Sequence, residues 1–154
     1  MCLFPKKVPI TVQGRVVWIQ SKCGKCIECL NFRIHDWEYR CNVEKRFSKA
    51  CLFVTLTYED RMLPPNGVEV SELQKFIKRC RKQGLVFSYY ALGEYGTKET
   101  ATHRPHYHLL MFCKSNHSFK DCERIIRLCW QFGFIVIKQM NFGNIHYVIS
   151  YLTT

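Results

Sequence analysis

Two histidines two apart, in "RPHYHLL" (104–110), and two tyrosines four apart, in "HYVISY" (146–151), are the groups best placed to do chemistry. Alternate residues of an extended strand share a face, so His106 and His108 would present their imidazoles side by side. Such a pair can hold one metal ion; the plainer alternative is two polar side chains on a solvated face. Tyr107, Leu109, Met111 and Cys113 take the opposite face and have the character of core. Glu94 ends the preceding apolar stretch, across a polar turn from His106. If the two stretches pair as a hairpin, its carboxylate joins the imidazoles. That mixed N/O set suits Mg²⁺ or Mn²⁺ holding a phosphate oxygen and water. The alternative pairs Glu94 with Arg104 or Lys98. Tyr147 and Tyr151 stack on one helical face, either as core contacts or as nucleophiles toward a phosphodiester. A phenol titrates near ~10, so the second role requires a metal-polarised phosphate.

A third constellation is "CGKCIEC", which sets Cys23, Cys26 and Cys29 at two successive C-x-x-C spacings. With Cys2 it offers four thiols, enough for a tetrahedral structural Zn²⁺. The fourth cysteine is distant and the spacing is not that of a paired ribbon, so lining the first helix or filling core are alternatives. Other cysteines have a core explanation: Cys80 continues the face of Leu73, Phe76 and Ile77, and Cys122 and Cys129 share one with Ile125 and Ile126.

The elements that must carry these groups follow from periodicity. Ile27, Leu30, Ile34, Trp37 and Cys41 step by three and four, a helical stripe. "CLFVTLTY" (51–58) alternates as a strand, and "LPPNG" after it is loop. Ser71 with Gln74 has the capping-box pattern for the helix "ELQKFIKRCRKQ", which Gly84 closes. Strands are expected at 85–94 and 105–113, joined by the polar turn "YGTKETATHR". Ser118 caps a helix that Gly133 ends, "FIVIK" (134–138) is a fourth strand, and "NIHYVISYLTT" a final helix. From 51 to 138 the order is β-α-β-β-α-β. The expected fold is therefore α+β: a ferredoxin-like or RRM-like antiparallel sheet with an N-terminal and a C-terminal helix.

The 154 residues suit one structural unit, read as a Cys-containing N-terminal segment and helix (1–50) on a core domain (51–154). Lys and Arg number 23 against 12 acids, a net charge of +11 spread along the chain. That excess points to a polyanionic partner, nucleic acid before an anionic membrane. No apolar run approaches a spanning helix, and the N-terminus lacks the order of a signal peptide. A soluble cytosolic protein is expected.

"LFVTLTYED", "GEYGTKETATHRPHYHLLMF" and "YVISY" follow the order of the three motifs of the HUH endonucleases, the rolling-circle replication initiators, which this chain resembles. The opening "MCLFP…CGKCIECL" is similar to that of initiators from microviruses, small single-stranded DNA phages. The resemblance covers nearly the whole chain. It implies His106 and His108 as the metal pair, Glu94 as third ligand, Tyr147 as nucleophile and Tyr151 as its alternating partner. It further implies single-stranded DNA at a replication origin as substrate, a 5′-phosphotyrosyl intermediate, Mg²⁺ or Mn²⁺ as cofactor, and work beside host replication machinery in the bacterial cytoplasm. Related initiators carry Lys three residues after the first tyrosine, where this chain has Ser150. They also continue beyond the catalytic helix, so a fragment or trimmed domain is expected. Basic residues of "KFIKRCRKQ" with Tyr89, Tyr90 and Tyr95 are expected to hold the strand. The rival reading is a non-catalytic RRM-like module whose histidines and tyrosines contact bases.

Overall fold

The computed structural model describes residues 1–95 and 104–153. It begins with two strands, β1 (Lys6–Val12) and β2 (Arg15–Ser21), paired antiparallel as a hairpin. Gln13 and Gly14 turn it with both φ positive, at 49° and 75°, the conformation that a two-residue hairpin turn of matching twist demands. Helix α1 (Ile27–Arg46) follows. Then come β3 (Ala50–Thr57), α2 (Val70–Lys82), β4 (Phe87–Tyr95), β5 (Pro105–Cys113), α3 (Phe119–Cys129), β6 (Ile135–Gln139) and α4 (Phe142–Ser150). The β-α-β-β-α-β order expected from 51 onward is present, in an α+β molecule whose four-stranded sheet runs β4-β5-β3-β6 with every pairing antiparallel.

Alternation along β3 and β5 splits the interior in two. Leu52, Val54, Leu56, Tyr107, Leu109 and Met111 face α2 and α3, meeting Phe76, Ile77, Cys122 and Ile126. Phe53, Leu110 and Phe112 face the other way, toward Cys41 of α1 and Ile145, Val148 and Ile149 of α4. The central strands are apolar on both sides because helices cover both sides. His106 and His108 belong to the second face, at the end of β5 where the apolar cover stops.

Several local expectations need correction. The first strands went unread, although "VQGRVV" between alternating β-branched runs is a hairpin signal. Helix α2 starts two residues earlier than the Ser71–Gln74 pattern implies: Glu69 is its N-cap and makes no side-chain capping bond. The true capping boxes are Ser118 with Asp121 on α3 and Asn141 with Asn144 on α4. Helix α3 ends at Cys129, short of Gly133. Gly133 is needed for another reason, since a Cβ there would lie 2.4 Å from the Glu59 backbone nitrogen. The last helix stops at Ser150, and Tyr151 to Thr153 form a tighter 3₁₀ turn. Most of the turn expected at 95–104, with His103 and Lys98, lies outside the described residues.

Candidate metal and nucleophile site

The β4–β5 hairpin sets Glu94 directly opposite His106, and Leu92 opposite His108. Strand β3 flanks the other side of β5, with Thr55 opposite His108 and Thr57 opposite His106. Register alone therefore brings the carboxylate to both imidazoles. Glu94 Oε1 lies 2.6 Å from His106 Nε2 and 3.2 Å from His108 Nε2. One ligand atom from each of the three residues falls within 4.8 Å of the others. Of the alternative partners of Glu94, Arg104 is committed to Asp60 and to the Tyr58 carbonyl, and Lys98 lies outside the described residues.

The second ring nitrogens are occupied. His106 Nδ1 donates to the Arg104 carbonyl at 3.0 Å, and His108 Nδ1 meets Thr55 Oγ1 at 3.0 Å. A carbonyl can only accept, so the hydrogen of a neutral His106 sits on Nδ1 and its Nε2 lone pair faces the Glu94 oxygen. Lone pair against carboxylate is repulsive unless a proton or a metal cation stands between them. Outer hydrogen bonds that leave Nε2 free are the usual setting of a metal-binding histidine. Burial, opposed by the charge of Glu94, keeps the His108 pKa below the ordinary imidazole range, which favours the neutral, ligating form. Burial alone would raise Glu94, but the donors around it (Tyr151, His106 and Tyr147) and the charge of His108 outweigh that and hold it below the usual carboxylate range. Two imidazole nitrogens and a carboxylate oxygen are a donor set that fits Mg²⁺ or Mn²⁺.

Helix α4 brings the tyrosines to this cluster. Ile145, Val148 and Ile149 bury its inner side, which turns Tyr147 toward the end of β5. Tyr147 Oη donates to Glu94 Oε1 at 3.0 Å and stands 3.2 Å from Tyr151 Oη. Its ring meets His108 edge-on with centroids 5.3 Å apart, and His108 in turn stacks on Phe53. The ring is 40% exposed, so it is not the core contact that helical spacing allowed. Burial first, and then the Tyr151 and Glu94 contacts, push the Tyr147 pKa upward. Its contact with Glu94 also raises Tyr151. Without added positive charge, both phenols stay protonated at neutral pH.

Sequence reasoning missed one participant. Glu38 of α1 is buried at 8% exposure. Its Oε1 takes a 2.6 Å contact from His146 Nδ1 and its Oε2 a 3.3 Å contact from His35 Nδ1. His146 thus ties α4 to α1 at the residue next to Tyr147, while His35 meets Glu38 within α1 itself. Glu38 is adjacent in sequence to Trp37 of the apolar stripe, and only long-range packing reveals its role. The strand-holding residues divide. Tyr90 is half-buried and packs edge-on against Trp37 with centroids 5.2 Å apart, while Tyr89 is exposed beside Arg81. Helix α2, with its basic residues, lies on the sheet face opposite the histidines. Cys2, Cys23, Cys26 and Cys29 are gathered together, each offering a sulfur within 4.8 Å of the others.

Residues 51–154 match the family model of the replication-associated protein ORF2, and the chain belongs to that family. The replication-associated protein ORF4 of Chlamydia phage 1 is 27% identical over 150 residues, covering 84% of this chain and 37% of that protein. The replication-associated protein VP4 of Bdellovibrio phage phiMH2K is 27% identical over 181 residues, covering 97% of this chain and 56% of its own. The chain thus spans 37% to 56% of the length of these relatives. No solved structure matches. The resemblance to microvirus-type initiators read from the motifs agrees with all three matches.

Proposed function

We propose that the chain is the nicking and joining domain of a rolling-circle replication initiator, cutting single-stranded DNA at a viral origin through a 5′-phosphotyrosyl intermediate. On this reading residues 51–154 are the HUH domain, on a ferredoxin-like sheet, and 1–50 pack beside it. The supporting observation is convergence: Glu94, His106, His108 and the Tyr147 hydroxyl meet around one carboxylate oxygen.

His106, His108 and Glu94 would hold Mg²⁺ or Mn²⁺, which when bound supplies positive charge to the scissile phosphate and to the leaving oxygen. Tyr147 Oη attacks phosphorus, and its proton departs along the hydrogen bond it already makes toward Glu94. The new bond joins Tyr147 to the 5′-phosphate. The bond that breaks is P–O3′, whose electron pair leaves on the 3′ oxygen and takes a proton from water, giving the hydroxyl that primes synthesis. Tyr151 presents a second phenol 3.2 Å away, so it can attack the regenerated junction while Tyr147 still carries DNA. Substrate is origin single-stranded DNA, and host replication proteins in the bacterial cytoplasm would extend the 3′ end. An RRM-like reader needs an open sheet face for bases. Here α1 and α4 cover one face and α2 and α3 the other.

Phenylalanine keeps the ring and removes only the hydroxyl. With Mn²⁺ and an origin oligonucleotide, Tyr147→Phe should lose the covalent protein–DNA adduct, while Tyr151→Phe should nick but fail in rejoining. If the two phenols share the role, only the double variant is dead. Cleavage that persists with no adduct on either tyrosine, or that proceeds in excess chelator, would sink the proposal.

A further inference from the structure

The ten cysteines sort into two groups by surroundings. Cys80, Cys113, Cys122 and Cys129 lie in the apolar interior under α2 and α3; Cys41 lies in the interior under α1 and α4, with Cys51 against it. Cys2, Cys23, Cys26 and Cys29 belong to neither apolar cluster, so core filling does not account for them.

Their geometry is that of a coordination shell. Cys23 Sγ stands 3.9 Å from Cys29 Sγ, and Cys26 Sγ stands 3.9 Å from Cys2 Sγ. The two pairs share no atom, and all four sulfurs lie within 4.8 Å of one another, as opposite edges of a tetrahedron would. Four sulfurs placed about 2.3 Å from a Zn²⁺ ion are separated by roughly 3.8 Å along each edge. Disulfides would require separations near ~2.05 Å. The backbone supports charged sulfur as well: the Cys23 amide donates to Cys2 Sγ and the Cys26 amide to Cys23 Sγ, both at 3.3 Å. Gly24, with φ of 76°, makes the tight turn between Cys23 and Cys26. Lys22 precedes the motif, Lys25 lies within it, and Arg33 donates to the Gly24 carbonyl, so positive groups adjoin a centre whose net charge would be −2.

We propose that Cys2, Cys23, Cys26 and Cys29 bind one structural Zn²⁺ that clasps the N-terminal hairpin to the start of α1. Cys2 precedes β1 and Cys23 follows β2, so both ends of the hairpin are held; Cys26 is the N-cap of α1 and Cys29 lies in its first turn. A clasp is needed there. Every residue of the two strands except Val8 and Ser21 is exposed, and an isolated two-stranded hairpin is marginal in water. The Cys26 side chain makes no capping bond to α1, leaving its sulfur for the metal. Four thiolates in a closed tetrahedron mark a structural site, separate from the open histidine–carboxylate set.

Metal analysis of the chain purified under reducing conditions tests this directly and without DNA. About one zinc per chain is expected, falling below about a tenth in Cys26→Ala/Cys29→Ala but retained in Cys80→Ala and in His106→Ala. Should the double variant fail to fold, Co²⁺ exchanged into the wild-type chain gives a second measurement. Intense visible bands of tetrahedral thiolate-bound cobalt, with one equivalent displaced by zinc, support the clasp. Zinc-free folded protein, iron in its place, cobalt spectra lacking thiolate bands, or zinc lost with His106 and not with the cysteines would each overturn it. Because no arm reads nicking, failure here leaves the proposed chemistry standing, and the reverse holds too.

Discussion

His108 shows how much of a ligand's behaviour is decided outside the ligand. Its ring is fixed between Phe53 and Tyr147, and Thr55 holds Nδ1 so that Nε2 points at Glu94. Removing such an outer hydrogen bond typically costs ten- to a hundredfold in metal affinity. Thr55→Val keeps a β-branched residue in the strand and deletes only the hydroxyl. The Mn²⁺ concentration for half-maximal nicking should rise by about tenfold or more, with oligonucleotide affinity unchanged because basic residues supply it. A titration of rate against Mn²⁺ checks this, and full recovery at saturating metal separates lost affinity from lost structure. His106→Ala removes a proposed ligand outright, so cleavage should fall by about a hundredfold or more while binding persists. The grouping of Glu94, His106 and His108 was legible because strand alternation is a local rule: H-x-H puts both rings on one face, and a hairpin then sets Glu94 opposite. Thr55 was not legible, since which strand would flank β5 depends on the sheet order.

Among the elements, α4 has the most demanding task. It is a nine-residue helix whose ends and inner face must all be satisfied for Tyr147 to reach Glu94. Asn141 and Asn144 exchange capping bonds at its start, and Glu38 of α1 holds His146 within it. Asn141→Ala should cost about 1 kcal/mol of stability, the usual worth of such a cap. Urea unfolding would measure that. Glu38→Ala leaves two histidines without their buried acceptor, and adduct formation should drop more than DNA binding does. Equal losses of both would mean that α1 and α4 have separated altogether. The tyrosine spacing announced the helix, but its cap and its tie were silent. An Asn–Asn box falls outside the Ser/Thr–Glu/Gln pattern, and Glu38 is a contact across 108 positions. The opening hairpin differs: it carried a local turn signal, but its apolar residues are exposed, so no helix or sheet of the interior called for them.

For the molecule as a whole, buried thiols set an alkaline limit. Burial raises Cys41 to about 11 and also raises Cys80, Cys113, Cys122 and Cys129 above the ordinary thiol value. A pKa higher in the folded than in the unfolded chain means the folded state holds its proton longer. The associated stability is fully present below the unfolded value near ~9 and drains away as pH rises through the folded one. Urea midpoints should therefore fall between about pH 9 and pH 11, with a matching rise in thiol reactivity. A flat profile over that range would show that those sulfurs ionise without unfolding.

Chain order gives the convergence on Glu94 a temporal side. His106 follows Glu94 by 12 residues, whereas Tyr147 follows it by 53. On a ribosome the β4–β5 hairpin can close early, while the helix bearing the phenols emerges later. Until α4 arrives, Leu110 and Phe112 lack their cover of Ile145, Val148 and Ile149. The step that hides this apolar surface is the same step that brings a hydroxyl to the carboxylate. An unfinished chain would therefore be sticky and inert, and burial and reactivity would be acquired together.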